Sequence, residues 1–161
     1  MDFRIGFGYD VHRLEKGYDL VLGGVKINHS KGAVGHSDAD VLIHAICDAL
    51  LGAAGLRDIG YHFPDSDPAY RGIDSRKLLA EVVGKIQEKG YSVGNVDVTI
   101  SLQQPKISAR IPEMKINLAA VMGVNEDRIS VKATTTEKLG FEGREEGVSA
   151  HAVALIKKPA T

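Results

Sequence analysis

The chain has 161 residues, 43% hydrophobic and 25% charged, which is enough apolar material for one core and excludes a disordered or fibrous polypeptide; one domain over residues 1–161 is expected. With 20 basic and 21 acidic residues the net charge is -1, so no global field draws nucleic acid or an anionic membrane to it. A single cysteine, Cys47, permits no internal disulfide, and no apolar run approaches the ~20 residues needed to cross a bilayer. Met1-Asp2-Phe3-Arg4-Ile5 runs directly into strand-like sequence with neither a signal nor a transit pattern, so a cytoplasmic protein is expected.

Phe3 to His12 alternates apolar with small or polar residues, as a strand does, and Gly6 and Gly8 allow a close backbone approach or a bulge. Asp10 and His12, two residues apart, project from one face of that strand. Asp19 to Ile27 predicts two short strands around Gly23-Gly24. A helix then follows, with Ser37 or Asp38 as its cap and Leu42, Ala45, Ile46, Ala49, Leu50 and Ala53 as its core stripe. Asp40, His44 and Asp48 fall opposite that stripe at four-residue steps, forming either a solvated row or part of a site. Together His44, Asp10 and His12 make a two-histidine, one-carboxylate set, the ligand type of a catalytic zinc centre with an open fourth position.

The segment from Gly52 to Pro68 is irregular and rich in Gly, Pro and Asp, as a binding loop or a plain connection would be. Asp74 and Ser75 open a second helix, with Leu78, Leu79, Val82, Val83 and Ile86 inward and Gly90 at its end, read as purely structural. Strict alternation of Val96, Val98, Ile100 and Leu102 predicts a half-buried strand over 95–102. Pro105 leaves the sheet, and Lys106 either meets a phosphate or is solvated. A third helix is expected from about Ile111 to Met122, with Pro112 in its first turn and Gly123 at its end. Strands over 128–133 and 148–156 complete the chain.

Between those last strands lies Thr134-Thr135-Thr136-Glu137-Lys138, followed by several glycines. The threonines suit either a strand edge or a set of donors to phosphate oxygens. A carboxylate such as Glu137 beside a phosphate would require an intervening Mg²⁺ or Mn²⁺. No Walker segment or full dinucleotide fingerprint is present in the sequence.

Taken together, Gly6-Phe-Gly-Tyr-Asp-Val-His12, His36-Ser-Asp-Ala-Asp40, Asp58-Ile-Gly60, Phe63-Pro-Asp65, Asn95-Val-Asp-Val-Thr99 and Lys132 to Phe141 resemble the 2-C-methyl-D-erythritol 2,4-cyclodiphosphate synthase family over essentially the whole chain. The resemblance implies an isoprenoid-precursor enzyme of the non-mevalonate pathway that converts 4-diphosphocytidyl-2-C-methyl-D-erythritol 2-phosphate to the cyclodiphosphate and CMP. It implies an α+β fold, a mixed β-sheet with helices on one face, and a homotrimer in which the other face is buried. Asp10, His12 and His44 are then the zinc ligands, and Glu137 binds a second divalent ion. His36 and Thr135 match transition-state stabilisers. Ser37 matches a phosphate contact, while Asp58, Ile59, Gly60, Tyr61, His62, Phe63, Pro64 and Asp65 match the part that holds the erythritol. The cytosine pocket corresponds to Leu102, Gln103, Gln104, Pro105, Lys106, Ile107 and Ser108, and the CMP phosphates to Thr134, Thr135, Thr136 and Glu137. Phe141 and Arg144 match positions near the trimer axis, where Arg144-Glu145-Glu146-Gly147 departs from the frequent Arg-Gly-Glu-Gly.

Overall fold

In the computed structural model, which describes residues 2–158, there are seven strands and five α-helices, with the first four strands preceding the first helix. Met1 and residues 159–161, the ends of the expected domain, lie outside the described residues. The strands are β1 (Phe3–Lys16), β2 (Leu20–Leu22), β3 (Val25–Ile27), β4 (Lys31–Val34), β5 (Ser92–Ser101), β6 (Ile129–Thr134) and β7 (Gly147–Lys157). The helices are α1 (Val41–Ala53), α2 (Ile59–His62), α3 (Ser75–Glu88), α4 (Ile111–Met122) and α5 (Gly140–Gly143). The main sheet has the order β4-β1-β7-β5-β6, with β5 and β6 parallel and the other pairs antiparallel. The expected mixed sheet of an α+β fold is therefore present, and β2 and β3 form a separate hairpin around Gly23-Gly24.

The period-two alternation of the strands decides which side of the sheet the helices cover. Val96, Val98 and Ile100 of β5, Val148, Ala150, Ala152 and Ala154 of β7, and Ile129 and Val131 of β6 are buried on one face with Leu42, Ile43, Ile46 and Leu50 of α1. On the other face Phe3, Ile5, Phe7, Tyr9 and Val11 of β1 and Val153 of β7 are exposed. Helix α1 lies so close to β1 that a Cβ at Gly6 or Gly8 would stand 1.9 Å from a helix carbonyl oxygen, Ala49 O or Ala45 O respectively. No residue but glycine fits there, because a clash with backbone cannot relax by a side-chain rotation.

Several details differ from the sequence reading: β1 runs on to Lys16, and α2 and α5 are short helices in segments read as connections. The cap of α1 is Asp40, not Ser37 or Asp38: its carboxylate accepts the Ile43 N–H at 3.1 Å and also the Gly23 and Gly24 N–H groups at 3.0 and 2.7 Å. Sequence favours any of the three residues as a cap, and the contact with the hairpin selects Asp40. Burial pushes the Asp40 carboxyl up to about 6, against the pull of those three N–H groups. The expected row of Asp40, His44 and Asp48 is not solvated, since Asp40 and His44 are buried and Asp48 accepts the Ile59 N–H at 2.7 Å, holding α2 against α1. Finally, β4 was not expected. It is four residues long and exists through pairing with β1, in which Arg13 faces Val34 and Lys16 faces Lys31. Helix α4 has the expected bounds, with Pro112 in its first turn and Gly123 in the left-handed conformation at φ 66° beyond its end.

Candidate active site

The end of β1, the first turn of α1 and the start of α3 converge on one cluster. Asp10 and His12 leave β1 on its helix-facing side, and His44 comes down from α1 to meet them. Asp10 Oδ2 lies 3.0 Å from His12 Nε2 and 3.1 Å from His44 Nδ1, and the two ring nitrogens are 3.2 Å apart. Three donors at the corners of a nearly equilateral triangle are one face of a tetrahedron. An ion bonded at 2.0–2.1 Å would need donor separations of about 3.3 Å, so the three residues fit a tetrahedral metal with its fourth position open. The Nδ1–H of His12 donates to the Val34 carbonyl of β4 at 2.9 Å, which leaves Nε2 free as a ligand. Burial would raise the Asp10 carboxyl, but hydrogen bonds and charge from His12 and His44 outweigh it and bring it down to about 2. Burial would lower the His12 imidazole, yet Asp10 and the Val34 carbonyl hold it above its ordinary value.

This triangle opens into a cavity of about 380 Å³ whose wall includes His36, Ser37, Ile59, Gly60, Phe63 and Asp65. Most of the sequence-predicted phosphate and erythritol contacts are thus gathered around the candidate metal centre. Asp58, Tyr61, His62 and Pro64 do not line it. Asp58 caps α2 by accepting the Tyr61 N–H, Tyr61 lies beneath the Arg57 guanidinium at 4.2 Å, and His62 bonds the Leu56 carbonyl at 2.7 Å. His36 bonds the Asp67 carbonyl through Nε2 at 3.1 Å, which directs its ring along the cavity rim.

A second cavity, of about 130 Å³, is lined by Leu102, Gln103, Pro105, Lys106, Ile107, Ser108, Thr134 and Thr135. Gln104, Thr136 and Glu137 lie beside it without lining it. Within this loop Glu137 and Lys138 take left-handed φ values of 53° and 63°, a conformation costly for side-chain-bearing residues and most often kept where a loop holds a ligand. The two cavities share no lining residue. In the sheet, Val11, Ser149, Ser101 and Thr134 form one cross-strand row, so β1 and β6 stand three strand spacings apart, about 14 Å. Both cavities are at the same end of the sheet, but Thr134 shares the open face with Val11 while Asp10 and His12 point to the helices.

Phe141 belongs to neither cavity; it packs on Gly147 and lines a pocket of about 280 Å³ with Val11, His12 and Glu146. Arg144 pairs with Glu146 at 3.1 Å on the surface. Glu145 adopts φ 56°, and its carbonyl accepts the Lys31 ammonium at 2.8 Å. Cys47 is buried, and burial raises its thiol well above the ordinary range, so it is no nucleophile.

Sequence reasoning missed two groups. Tyr70 lines the first cavity with its ring edge-on to Phe63 at 5.3 Å, and no motif marks it. Ser75, assigned a structural role at the start of α3, has its Oγ 2.9 Å from His44 Nε2. That correction gives α3 a part in the site.

The profile of the YgbB family matches residues 3–157. The chain is 66% identical over 154 residues to 2-C-methyl-D-erythritol 2,4-cyclodiphosphate synthase from Porphyromonas gingivalis, covering 96% of this chain and 95% of the relative. It is 60% identical to the synthase of the same name from Ralstonia nicotianae, over 97% of this chain and 93% of that one. Among solved structures, an IspF–CDP complex from Plasmodium falciparum aligns with TM-score 0.86 and 37% identity, over 98% of this chain and 97% of that one. The bifunctional IspDF from Campylobacter jejuni aligns with TM-score 0.94 and 41% identity over 98% of this chain, which spans 43% of that longer protein. On this match of fold, length and sequence, the chain belongs to the YgbB family.

Proposed function

We propose that this chain, acting as one domain over residues 1–161, converts 4-diphosphocytidyl-2-C-methyl-D-erythritol 2-phosphate to 2-C-methyl-D-erythritol 2,4-cyclodiphosphate and CMP, as a phosphorus–oxygen lyase of the non-mevalonate isoprenoid pathway. The observation that carries the reading is the Asp10–His12–His44 triangle at the head of a polar cavity, in a chain 66% identical to a synthase of that name. Zn²⁺ held by Asp10, His12 and His44, and Mg²⁺ or Mn²⁺ held by Glu137, supply positive charge to phosphate oxygens.

The substrate's 2-phosphate is its own nucleophile and is anionic near neutral pH, so no activated serine or cysteine is required. What the protein must do is bring two anions together in line with the leaving CMP. His36 and Ser37 donate hydrogen bonds to the phosphate that attacks, and Thr134, Thr135 and Thr136 donate to the phosphates of CMP, with His36 and Thr135 following the charge into the transition state. Asp58 and the segment from Ile59 to Asp65 enclose the erythritol part, with Ile59, Gly60, Phe63 and Asp65 on the cavity wall. Leu102 to Ser108 enclose the cytosine; two of the solved neighbours are complexes with CDP.

The active assembly is a homotrimer. Phe3, Ile5 and Phe7 are each at least 60% exposed on the uncovered sheet face, an apolar surface that a second copy would bury. Trimerisation would also carry the second cavity of one chain to the first cavity of its neighbour, with Phe141 and Arg144 near the axis. We place the enzyme in the cytoplasm, with neither nucleic acid nor membrane as partner; among the described residues no helix is long and apolar enough to cross a membrane.

Phosphorus NMR of the substrate incubated with protein, Zn²⁺ and Mg²⁺ tests the reading. It requires CMP and a cyclic diphosphate to appear together, and both to vanish in His44→Ala, with turnover down at least ~100-fold. CMP accompanied by a linear diphosphate would instead show hydrolysis.

A further inference from the structure

We infer that Ser75 and Asp38 are positioning residues that lock the His44 imidazole in the tautomer whose unprotonated Nδ1 faces Asp10 and His12. The inference rests on the reading of Asp10, His12 and His44 as a metal centre. It starts from the edge of the His44 ring that points away from that centre. There Nε2 lies 2.9 Å from Ser75 Oγ, and Ser75 Oγ lies 2.5 Å from Asp38 Oδ1. Asp38 is itself fixed from two sides, its Oδ2 accepting the Ser75 backbone N–H at 3.0 Å and its Oδ1 accepting the Asp40 N–H at 3.2 Å.

The direction of each bond follows from counting protons. An ionised carboxylate only accepts, so the one hydroxyl proton of Ser75 goes to Asp38. The serine oxygen is left with lone pairs facing His44, and a neutral imidazole meets them favourably only with its proton on Nε2. Nδ1 then carries the free lone pair, and Nδ1 is the atom in the triangle, 3.1 Å from Asp10 Oδ2 and 3.2 Å from His12 Nε2. Ser37 Oγ also lies 3.1 Å from Nε2 and accepts the Ala39 N–H, but no carboxylate fixes the direction of its hydroxyl. On the metal-facing edge the Asp10 carboxylate, 3.1 Å from Nδ1, competes for the imidazole proton until a metal takes its place; on the far edge only the Ser75–Asp38 pair fixes a hydroxyl direction, and it favours Nε2–H. Ser75 is fully buried, so water does not replace its oxygen. The arrangement mirrors His12, whose tautomer is set by a backbone carbonyl of β4. The two histidines are thus oriented by different means, one by a strand and one by the first residue of α3.

The test measures Zn²⁺ affinity, by competition with a chromophoric chelator, in wild type, Ser75→Ala, Asp38→Asn, the double variant and His44→Ala. Nitrogen-15 NMR of the metal-free imidazoles reads the tautomer directly. Ser75→Ala keeps the backbone N–H that Asp38 accepts and removes only the hydroxyl. It is expected to weaken Zn²⁺ binding by about 10- to 100-fold and to reduce the Nε2–H population of His44. Turnover lost at limiting Zn²⁺ returns when Zn²⁺ is saturating, with KM for the substrate unchanged, which damage to the fold would not allow. Since the residues act in series, the double variant loses no more affinity than the weaker single variant. Wild-type Zn²⁺ affinity in both Ser75→Ala and Asp38→Asn, with His44→Ala unable to bind, would overturn the tether alone. Undiminished binding in His44→Ala would overturn the metal reading beneath it.

Discussion

Asp10 and His12 are in direct contact in the metal-free protein, and their shifts have opposite signs. Asp10 titrates at about 2 when folded against an ordinary 3.8, so its contribution to stability is whole above 3.8 and is lost as the pH falls through 2. His12 is raised above 6.5, so its contribution is whole below 6.5 and is lost as the pH rises through the folded value. The stability gap between metal-free wild type and His12→Gln, measured by urea unfolding, is therefore expected to be widest between these limits, by about 1–2 kcal/mol, and to narrow on either side. In the proposed metal centre, Zn²⁺ would have to displace the His12 proton, so its affinity is expected to rise with pH through the same upper limit. These three proposed ligands were legible in the sequence because a spacing of two in a strand puts Asp10 and His12 on one face, and His44 completes a two-histidine, one-carboxylate set. Asp38 and Ser75 were not legible. Their contact spans 37 residues, and each already had a sufficient local explanation as a residue that opens a helix.

At the scale of elements, the site depends on how closely α1 approaches β1. Gly8 lies between the strand and the carbonyl of Ala45, next along the helix from His44, and a Cβ there would also come within 2.7 Å of Ala49 N. Gly8→Ala must therefore push the helix off the strand and open the triangle; an unfolding free energy lower by at least about 3 kcal/mol is expected, with Zn²⁺ binding lost alongside it. Gly84, inside α3 with nothing within 4 Å of its missing Cβ, is the contrasting case. Gly84→Ala should stabilise by about 0.5–1 kcal/mol with activity unchanged. Both values come from the same unfolding titrations. The long elements were readable from periodicity, with α4 near its expected bounds. What could not be read was imposed from a distance: β4 is a strand because β1 offers it an edge, and the α1 cap is Asp40 because the Gly23-Gly24 hairpin brings its N–H groups to that carboxylate. The glycines of β1 did signal a close approach, though not which helix makes it.

For the whole molecule, the proposed trimer, with active sites formed between chains, accounts for both the uncovered apolar face and the separation of the two cavities. Sedimentation equilibrium should give a mass three times the 17.3 kDa of one chain. Phe7→Asp places a charge in the middle of that face and is expected to yield monomers that still bind Zn²⁺, because the triangle lies within one chain, yet turn over no substrate. The most direct test of the shared site mixes two inactive proteins. His44→Ala spoils the metal half and Thr135→Ala the nucleotide half; co-refolded in equal amounts, they assemble trimers in which some interfaces join two intact halves. Random assembly on a three-fold axis leaves about a quarter of the sites whole, so cyclisation should recover to about a quarter of the wild-type rate from two proteins that are each nearly silent. If the mixture is no more active than its components, each chain completes its own site, and the account of the two separated cavities is wrong.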